Sequence, residues 1–252
     1  MTAETLLWQD ECMRHGLHAP EEADGGVLLT DKDEAPLARH LNVIVPVSFA
    51  CVGEAVIASA YPSVRSVTAA FFEKYRSADT LFSDAAFAAL DAALRPYLAS
   101  WGYRPSAFPS RYGISLVQDD VSAVNTAAIL CGTARMTEAM CGLKNHTSMK
   151  SDDCIRRGAF AHLVRGEIVC IASVNRVSGV GRCVEIGVEC APAHRRQGYA
   201  RSCVSALTGA LCAEGQTVLY RHYHTNAGSA ATARSAGFRP VGRFFSYTSF
   251  AI

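Results

Sequence analysis

The sequence lacks the features that mark exported, membrane-spanning and nucleic-acid-binding proteins. Its first residues are polar and acidic rather than basic and then apolar, so we expect no signal peptide and a cytoplasmic location. The longest apolar stretch, residues 43–60, is broken by Pro46, Gly53 and Glu54, which argues against a membrane span. The net charge is +1, so no global field favours nucleic acid or a membrane surface as a partner.

Metal-binding and disulfide patterns are also missing. Ten cysteines are present, but no two have the Cys-x-x-Cys spacing, and Cys12-x-x-His15 has no second half to complete a zinc site. The thiols are scattered through apparent helices and strands. We therefore expect reduced cysteines packed as small apolar groups, and no metal site.

The chain is long enough for one large domain or two modest ones, since half of its 252 residues are apolar. Pro105, Pro109 and Gly113 cluster beside serines, which is typical of a linker. We predict a helix-rich N-terminal domain over residues 1–112 and a second domain over residues 113–252.

The first half shows two helical patterns. Ser83 can cap a helix over residues 81–100, which Pro96 is expected to kink or end. Apolar spacing predicts another helix over residues 66–77. Residues 41–47 are predicted to form a strand. The Ala-rich segment 49–61 is predicted to be helical.

The second half begins with an alternating pattern. Residues 158–164 and 168–175 are predicted strands joined by the tight turn Arg165-Gly166-Glu167. A further turn at residues 179–181 leads into the apolar strand 184–190. These segments predict a β-meander.

A phosphate-binding loop is the most informative feature of the sequence. Arg195-Arg196-Gln197-Gly198-Tyr199-Ala200 lies between the strand 184–190 and an amphipathic helix over residues 201–214. A helix N-terminus leaves backbone N–H groups unpaired, and its dipole favours an anion. Gly198 permits a tight backbone, and the two arginines add positive charge.

The loop does not match a nucleotide-binding fingerprint. It lacks the Lys-Ser/Thr ending of a P-loop and the three glycines of a dinucleotide site, which disfavours nucleotide binding.

A strand over residues 217–223 follows the helix, and Asn226 can cap a second helix that ends at Gly237-Phe238. The order strand, loop, helix, strand, helix, strand predicts an α/β (α+β) fold with a mixed sheet.

This arrangement resembles the GNAT superfamily of acyl-CoA-dependent N-acetyltransferases. The resemblance covers the second half of the chain, best from Gly158 onward. It rests on two motifs: Glu185-Ile186-Gly187-Val188 leading through Pro192 into Arg195-x-x-Gly198-x-Ala200, and Asn226-x-x-Ser229 followed by Ala236-Gly237-Phe238. It implies acetyl-CoA or another acyl-CoA as co-substrate and a small-molecule or peptide amine as acceptor.

The resemblance also implies a set of cofactor-binding residues. The pyrophosphate of coenzyme A is expected on the backbone amides of Arg195, Arg196, Gln197, Gly198, Tyr199 and Ala200. The pantetheine arm is expected to pair with the backbone of Val188 and Cys190. Asn226 and Ser229 are expected to contact the cofactor from the next helix.

Catalysis needs a neutral amine, whereas a lysine-like amine is neutral only about once in a few thousand molecules at pH 7. A base or desolvation must make up that difference. Strand alternation puts Glu185, Gly187 and Glu189 on one face. If that face is the acceptor cleft, Glu185 is the favoured base. If it faces solvent, both carboxylates are ordinary surface charges.

The usual proton donor is missing. Many GNAT members carry a tyrosine between the Asn and the Gly-Phe, whereas this sequence has Ala233 there. Four residues on or just after the preceding strand offer alternatives: Tyr220, His222, Tyr223 and His224. We name Tyr223 and His224, with Glu185, as the catalytic residues.

The resemblance leaves two functions open. We favour direct attack of the amine, with a backbone N–H from a bulge or splayed strand near Val188 to Cys190 stabilising the thioester oxygen, over a covalent acyl-enzyme on Cys190. The alternative is a non-catalytic acyl-CoA-binding regulatory module, which Ala233 suggests. Acceptor specificity is expected in the N-terminal half and in residues 127–155, while the sequence gives no oligomeric state.

Overall fold

The computed structural model describes residues 2–17, 26–107, 111–118, 128–131, 159–179 and 182–252. The chain forms two compact units, and each is assembled from separate segments. The first unit contains Met1–Leu6, Ser115–His222 and Asn226–Pro240. The second contains Leu7–Ile114, Tyr223–Thr225 and Val241–Ile252. The predicted division of the chain into domains 1–112 and 113–252 stays a prediction.

The helices and strands of the described residues are numbered in chain order. The helices are α1 (Ala3–Arg14), α2 (Ala35–Ala38), α3 (Arg65–Lys74), α4 (Ala78–Leu81), α5 (Asp84–Trp101), α6 (Tyr199–Ala213) and α7 (Ala227–Ser235). The strands are β1 (Val27–Asp31), β2 (Val43–Ile44), β3 (Val47–Val52), β4 (Ala55–Ala60), β5 (Tyr103–Pro105), β6 (Gly113–Gln118), β7 (Ile129–Cys131), β8 (Ala159–Val164), β9 (Glu167–Val177), β10 (Cys183–Cys190), β11 (Thr217–Tyr223), β12 (Arg239–Ser246) and β13 (Ser249–Ala251).

The first unit is built around a mixed sheet with the strand order β6-β11-β10-β9-β8-β7. Strands β7 to β10 pair antiparallel, as the predicted meander requires, and β10 pairs parallel with β11. Helix α6 buries Cys203, Val204, Leu207 and Leu211, the apolar stripe expected from its sequence. The predicted α/β class with a mixed sheet is confirmed. The predicted turn at 179–181 and most of residues 127–155 lie outside the described residues.

The second unit has an aromatic core between a sheet and helices. Its sheet has the order β1-β4-β3-β12, and a small sheet has the order β2-β13-β5. Phe49 on β3 lies at the centre of the core. Ring centroids of Phe72, Phe82 and Phe245 lie 5.6, 5.4 and 4.9 Å from its own. Such pairs add roughly 0.5–1.5 kcal/mol each beyond burial.

Helix α5 begins where the sequence predicted. The Oγ atom of Ser83 accepts a hydrogen bond from Ala86 N at 3.2 Å, and the helix ends at Gly102 in the left-handed conformation. Of the two effects expected of Pro96, a kink or the end of the helix, the second is wrong, because α5 continues to Trp101. Pro96 lies on the exposed face, where water can bond the carbonyl that the ring leaves without a partner. In the described ranges no helix has the length and apolarity needed to cross a membrane.

The helix predicted over residues 49–61 is wrong. These residues lie in the antiparallel hairpin β3–β4, which turns at Gly53 with a φ of 58°. Ala58 and Ala60 are fully buried there. Alanine favours helices in isolation, but the burial of both strands outweighs that small preference.

Candidate active site

The site in the first unit begins where two neighbouring strands stop pairing. The parallel pairing of β10 with β11 runs from Cys183 and Thr217 to Ile186 and Tyr220. The next four residues of β10 stay paired with β9, up to Cys190 opposite Cys170. An opening between β10 and β11 therefore starts just after Ile186.

The backbone of Val188 and Cys190 faces this opening. Ala191 N donates to Val169 O at 2.9 Å, so residue 191 turns its backbone groups toward β9. In an antiparallel strand every second residue points its N–H and C=O groups to the same neighbour, so Glu189 and Gly187 also point theirs toward β9. Val188 and Cys190 therefore turn their N–H and C=O groups to the β11 side. The Cys190 carbonyl accepts a hydrogen bond from Arg195 Nε at 3.2 Å.

The loop before α6 presents backbone N–H groups. Arg196 has a φ of 61° and Gly198 a φ of 82°, both left-handed. For an arginine this conformation costs roughly 1 kcal/mol. Gly198 is the N-cap, no side chain caps the helix, and its first turn contains no acidic residue. The helix dipole and the two arginines together make this end of α6 a site for an anion.

The loop and the strand opening line one cavity of about 600 Å³. Of the ten predicted cofactor residues, the structure brings nine to it: Val188, Cys190, Arg195, Arg196, Gly198, Tyr199, Ala200, Asn226 and Ser229. Gln197 is the predicted residue that does not line it. Contact of these residues with coenzyme A stays a prediction.

Several cavity residues were not predicted from the sequence. They are His194, Arg201, Gly228, Ala231, Thr232 and Ser235, whereas Tyr220 and Glu189, which also line it, were named above for other roles. Ala231, Thr232 and Ser235 follow Gly228 by three, four and seven residues, so the helical period counted from Gly228 was the signal that could have found them. Asn226 Oδ1 accepts a hydrogen bond from Ser229 N at 3.0 Å, as a capping residue does.

Tyr220 is the tyrosine of β11 that lines the cavity. It is 2% exposed, and its hydroxyl lies 3.2 Å from Ser229 Oγ. Burial raises the pKa of this phenol, while the bond to Ser229 acts in the opposite direction. The hydroxyl therefore stays protonated at neutral pH and can donate a proton. Ala233, at the position of the usual tyrosine, is fully buried and does not line the cavity.

Tyr223 and His224 belong to the second unit. The guanidinium of Arg111 lies 3.8 Å from the centroid of the Tyr223 ring. His224 stacks on Tyr112 with centroids 4.1 Å apart, and its Nδ1 lies 3.0 Å from the carbonyl oxygen of Tyr112. The residues that line the cavity of the first unit do not include either side chain. Their catalytic roles stay predictions.

Glu185 lies on the face of β10 that its alternation predicted. Val184 and Ile186 are buried, whereas Glu185 is partly exposed and lies 3.7 Å from Arg176 Nε through its Oε2. The register with β9 shifts between Glu185 and Ile186, so Asn175 is the extra residue of a bulge. The register of β10 with β9 is regular from Gly187 to Cys190, so the bulge expected there is absent, whereas the expected alternative of a splayed strand agrees with the end of the β11 pairing at Ile186.

The bulge places an amide oxygen against Gly187. A Cβ at Gly187 would lie 2.4 Å from Asn175 Oδ1, so any other residue there would require the Asn175 side chain to move. Asn175 Oδ1 is buried and accepts no hydrogen bond within the described part of the chain. A buried oxygen without a donor favours a ligand N–H at that point.

Cys190 is a poor nucleophile. Its Sγ donates to His194 O at 3.3 Å. Burial raises the pKa of the thiol to about 12, and the neighbouring Cys170 adds to the effect.

The seven cysteines whose side chains are described are all free thiols. No group of three or more His, Cys, Asp or Glu residues suited to a metal occurs among the described residues.

Comparison with known proteins agrees with this site. Residues 122–239 match the family model of the acetyltransferase (GNAT) domain. The predicted resemblance is thus confirmed, and the match ends one residue before the first unit does. The acyltransferase class of enzyme is confirmed with it. No protein of curated function matches the sequence.

Solved structures give more distant likenesses. A GNAT-family protein from Novosphingobium aromaticivorans is 17% identical over 60% of this chain and 68% of its own, with a TM-score of 0.48. A GNAT-family acetyltransferase from Colwellia psychrerythraea is 15% identical over 59% and 56%, with a TM-score of 0.44. This chain thus spans little more than half of the Colwellia protein. Such values carry no argument about substrates.

The environment of Cys190 predicts slow alkylation. A thiol of pKa about 12 holds so little thiolate at pH 8 that it reacts roughly a thousandfold more slowly than an unperturbed thiol. Because the raised pKa favours the protonated form, the rate should rise about tenfold per pH unit. Mass spectrometry of the iodoacetamide-treated native protein measures it, with the denatured chain as control. Native and denatured rates that agree would contradict this assignment.

Proposed function

We propose that this protein, in which residues 122–239 form a GNAT acetyltransferase domain, transfers an acetyl group from acetyl-CoA to a primary amine by direct attack. Acyl transfer as a class follows from the family match. The donor, the acceptor and the residue roles are our proposal. The observation that carries it is the cavity, in which an anion-binding helix end meets an unpaired strand edge.

The donor is proposed from the fit of the cavity residues to coenzyme A. Acetyl-CoA supplies an activated thioester. The backbone amides that follow Arg195, with the charges of Arg195 and Arg196, would hold its pyrophosphate. The outward-facing amide groups of Val188 and Cys190 would pair with the pantetheine arm as a further strand does. The Val188 N–H would also stabilise the thioester oxygen.

The acceptor is proposed to approach along the face of β10 that carries Glu185. A carboxylate there can take a proton from the incoming ammonium, directly or through water. Asn175 Oδ1, which accepts no hydrogen bond among the described residues, can accept an N–H of the amine. Small-molecule and peptide amines both fit this chemistry. Tyr223 and His224 are kept as alternatives for the proton donor.

Tyr220 is our favoured proton donor to the leaving thiolate. It is buried, protonated at neutral pH, held by Ser229 and part of the cavity wall.

A non-catalytic acyl-CoA-binding module is the second candidate function, which the alanine at 233 favours. A buried phenol in the cavity weighs against it, because binding alone does not need a proton donor. We also propose a cytoplasmic location.

Coenzyme A and acetyl-CoA are expected to stabilise the protein in a saturable way. Gly198→Asp should abolish the thermal shift, since it adds a negative charge at the anion site and forces a residue with a Cβ into the left-handed conformation. Gly209→Asp is the matched control, because Gly209 lies on the same helix outside the cavity with open space beside it. An equal shift in all three proteins would rule out the proposed cofactor site.

Glu185→Gln tests the base. We expect kcat/KM for the amine to fall about a hundredfold at pH 7. The deficit should shrink as the pH approaches the pKa of the amine, because more of the acceptor is then neutral without help. Glu189→Gln serves as the control on the same face. Turnover that is unchanged across the pH range in Glu185→Gln would end the role of Glu185.

Tyr220→Phe tests the acid. We expect kcat to fall about tenfold to a hundredfold while the coenzyme A affinity from the thermal shift stays the same. Tyr223→Phe and His224→Gln are measured beside it. A larger loss of kcat in either of these, with Tyr220→Phe near normal, would move the role to that residue.

A further inference from the structure

A second cavity lies in the other compact unit and shares no lining residue with the cavity described above. Its volume is about 230 Å³, and all the residues that line it belong to this unit. We call it the Arg111 cavity. Its walls include Arg111, Tyr223, Phe244, Ser246 and Phe250.

Alternation along β12 builds one apolar wall of the Arg111 cavity. Phe245 packs against Phe49 in the aromatic core, with ring centroids 4.9 Å apart. Its neighbours Phe244 and Ser246 therefore lie on the opposite face of the strand, where both line the cavity. Gly113 leaves the space for the Phe244 ring, because a Cβ at that position would overlap the ring atoms. The ring thus lies directly on the backbone of Gly113.

A planar cation lies in the same cavity. The guanidinium carbon of Arg111 lies 3.8 Å from the centroid of the Tyr223 ring, a distance at which the flat face of the guanidinium meets the ring. The N–H donors of a guanidinium lie in its plane, so stacking leaves them directed to the sides. Among the described residues that line the cavity, Arg111 is the one charged side chain and none is acidic. The cavity lining therefore carries one positive charge.

Aromatic rings and hydroxyl groups surround this charge. Tyr223 is 44% exposed and Phe250 is 40% exposed, so water contacts two aromatic rings at a single cavity. Ser246 and Thr248 add hydroxyl groups, and Thr248 Oγ1 donates to Ser246 O at 3.4 Å. Apolar and aromatic walls with a few polar groups and one fixed charge are typical of a small-molecule site.

We propose that the Arg111 cavity binds a small aromatic monocarboxylate. A carboxylate accepts two parallel N–H bonds from a guanidinium, and the ring of the ligand would pack against Phe244 and Phe250. The single charge of a carboxylate matches the single guanidinium, whereas a phosphate dianion would keep an excess charge among apolar walls. This inference stands independently of the acyltransferase proposal.

The volume of the Arg111 cavity sets the size of the ligand. A cavity of about 150 Å³ holds benzene. A volume of about 230 Å³ therefore accommodates one ring with its carboxylate. Nucleotides and acyl-CoA are larger than this and need sites of roughly 300–1,000 Å³.

Calorimetric titration of the full-length protein with benzoate tests the ligand class. We expect saturable binding at one site per chain. Benzamide has the same shape without the charge, and acetate has the charge without the ring, so both should bind at least about tenfold more weakly. Benzylamine, a cation, should not bind. Absence of benzoate binding would overturn the inference, as would equal affinity for benzoate and benzamide, acetate or inorganic phosphate.

Variants locate the bound benzoate. Arg111→Gln should weaken binding at least about tenfold, and Arg111→Lys should weaken it less, because lysine keeps the charge but lacks the planar fork. Arg104→Gln is the matched control, since Arg104 is exposed on β5 opposite Phe250 and does not line the cavity. Ser246→Leu fills the cavity from an exposed position and should also abolish binding without a change of charge.

Thermal unfolding of each variant shows that the loss of binding is not a loss of folding. Gly198→Asp should bind benzoate like wild type, because the anion site at the start of α6 is a different one. Loss of benzoate binding in Gly198→Asp would place the carboxylate there and overturn the inference. Unchanged affinity in both folded Arg111 variants or in folded Ser246→Leu would overturn it as well.

Discussion

The candidate site depends on one constraint, which is that β10 can pair on both sides only as far as Ile186. Beyond that residue β9 holds one edge of the strand, and the N–H and C=O groups on the other edge have no neighbouring strand. Backbone groups left without partners in a protein interior are costly. They become favourable when an extended ligand supplies the partners. The opening between the two strands is thus a gap in the sheet that our proposal fills with the pantetheine arm of the cofactor.

The remaining cavity features follow from that opening. The chain leaves β10 and turns back into α6 within a few residues, so the positive end of the helix lies next to the unpaired edge. Tyr220 pairs with Ile186, which is the last residue of β10 that pairs with β11, so it lies at the point where these two strands part. Helix α7 then closes the cavity, with its cap at Asn226 and the Ser229 hydroxyl against Tyr220.

Local patterns in the sequence predicted the second half of the fold well. Alternation, Gly turns and caps gave strands β8 to β11 and helices α6 and α7 within a few residues, because each signal lies within its own element. The prediction for residues 49–61 was wrong because alanine favours a helix locally, whereas burial between distant segments decides the structure of these residues. The same limit applies to the tyrosines of β11: alternation puts Tyr220 and Tyr223 on opposite faces of the strand, but nothing local shows which face meets the cavity.

The second unit is completed by residues that follow the first unit in the sequence. Gly242–Ser246 of β12 pair beside β3, and β13 lies between β2 and β5, with Ile252 N donating to Gly102 O at 3.0 Å. During translation, residues 7–114 leave the ribosome long before these partners exist. Their sheet must wait with an unpaired edge, whereas the first unit is complete once Pro240 has been added. Residues 7–114 are therefore made before most of the first unit, yet the unit that they belong to is completed after it.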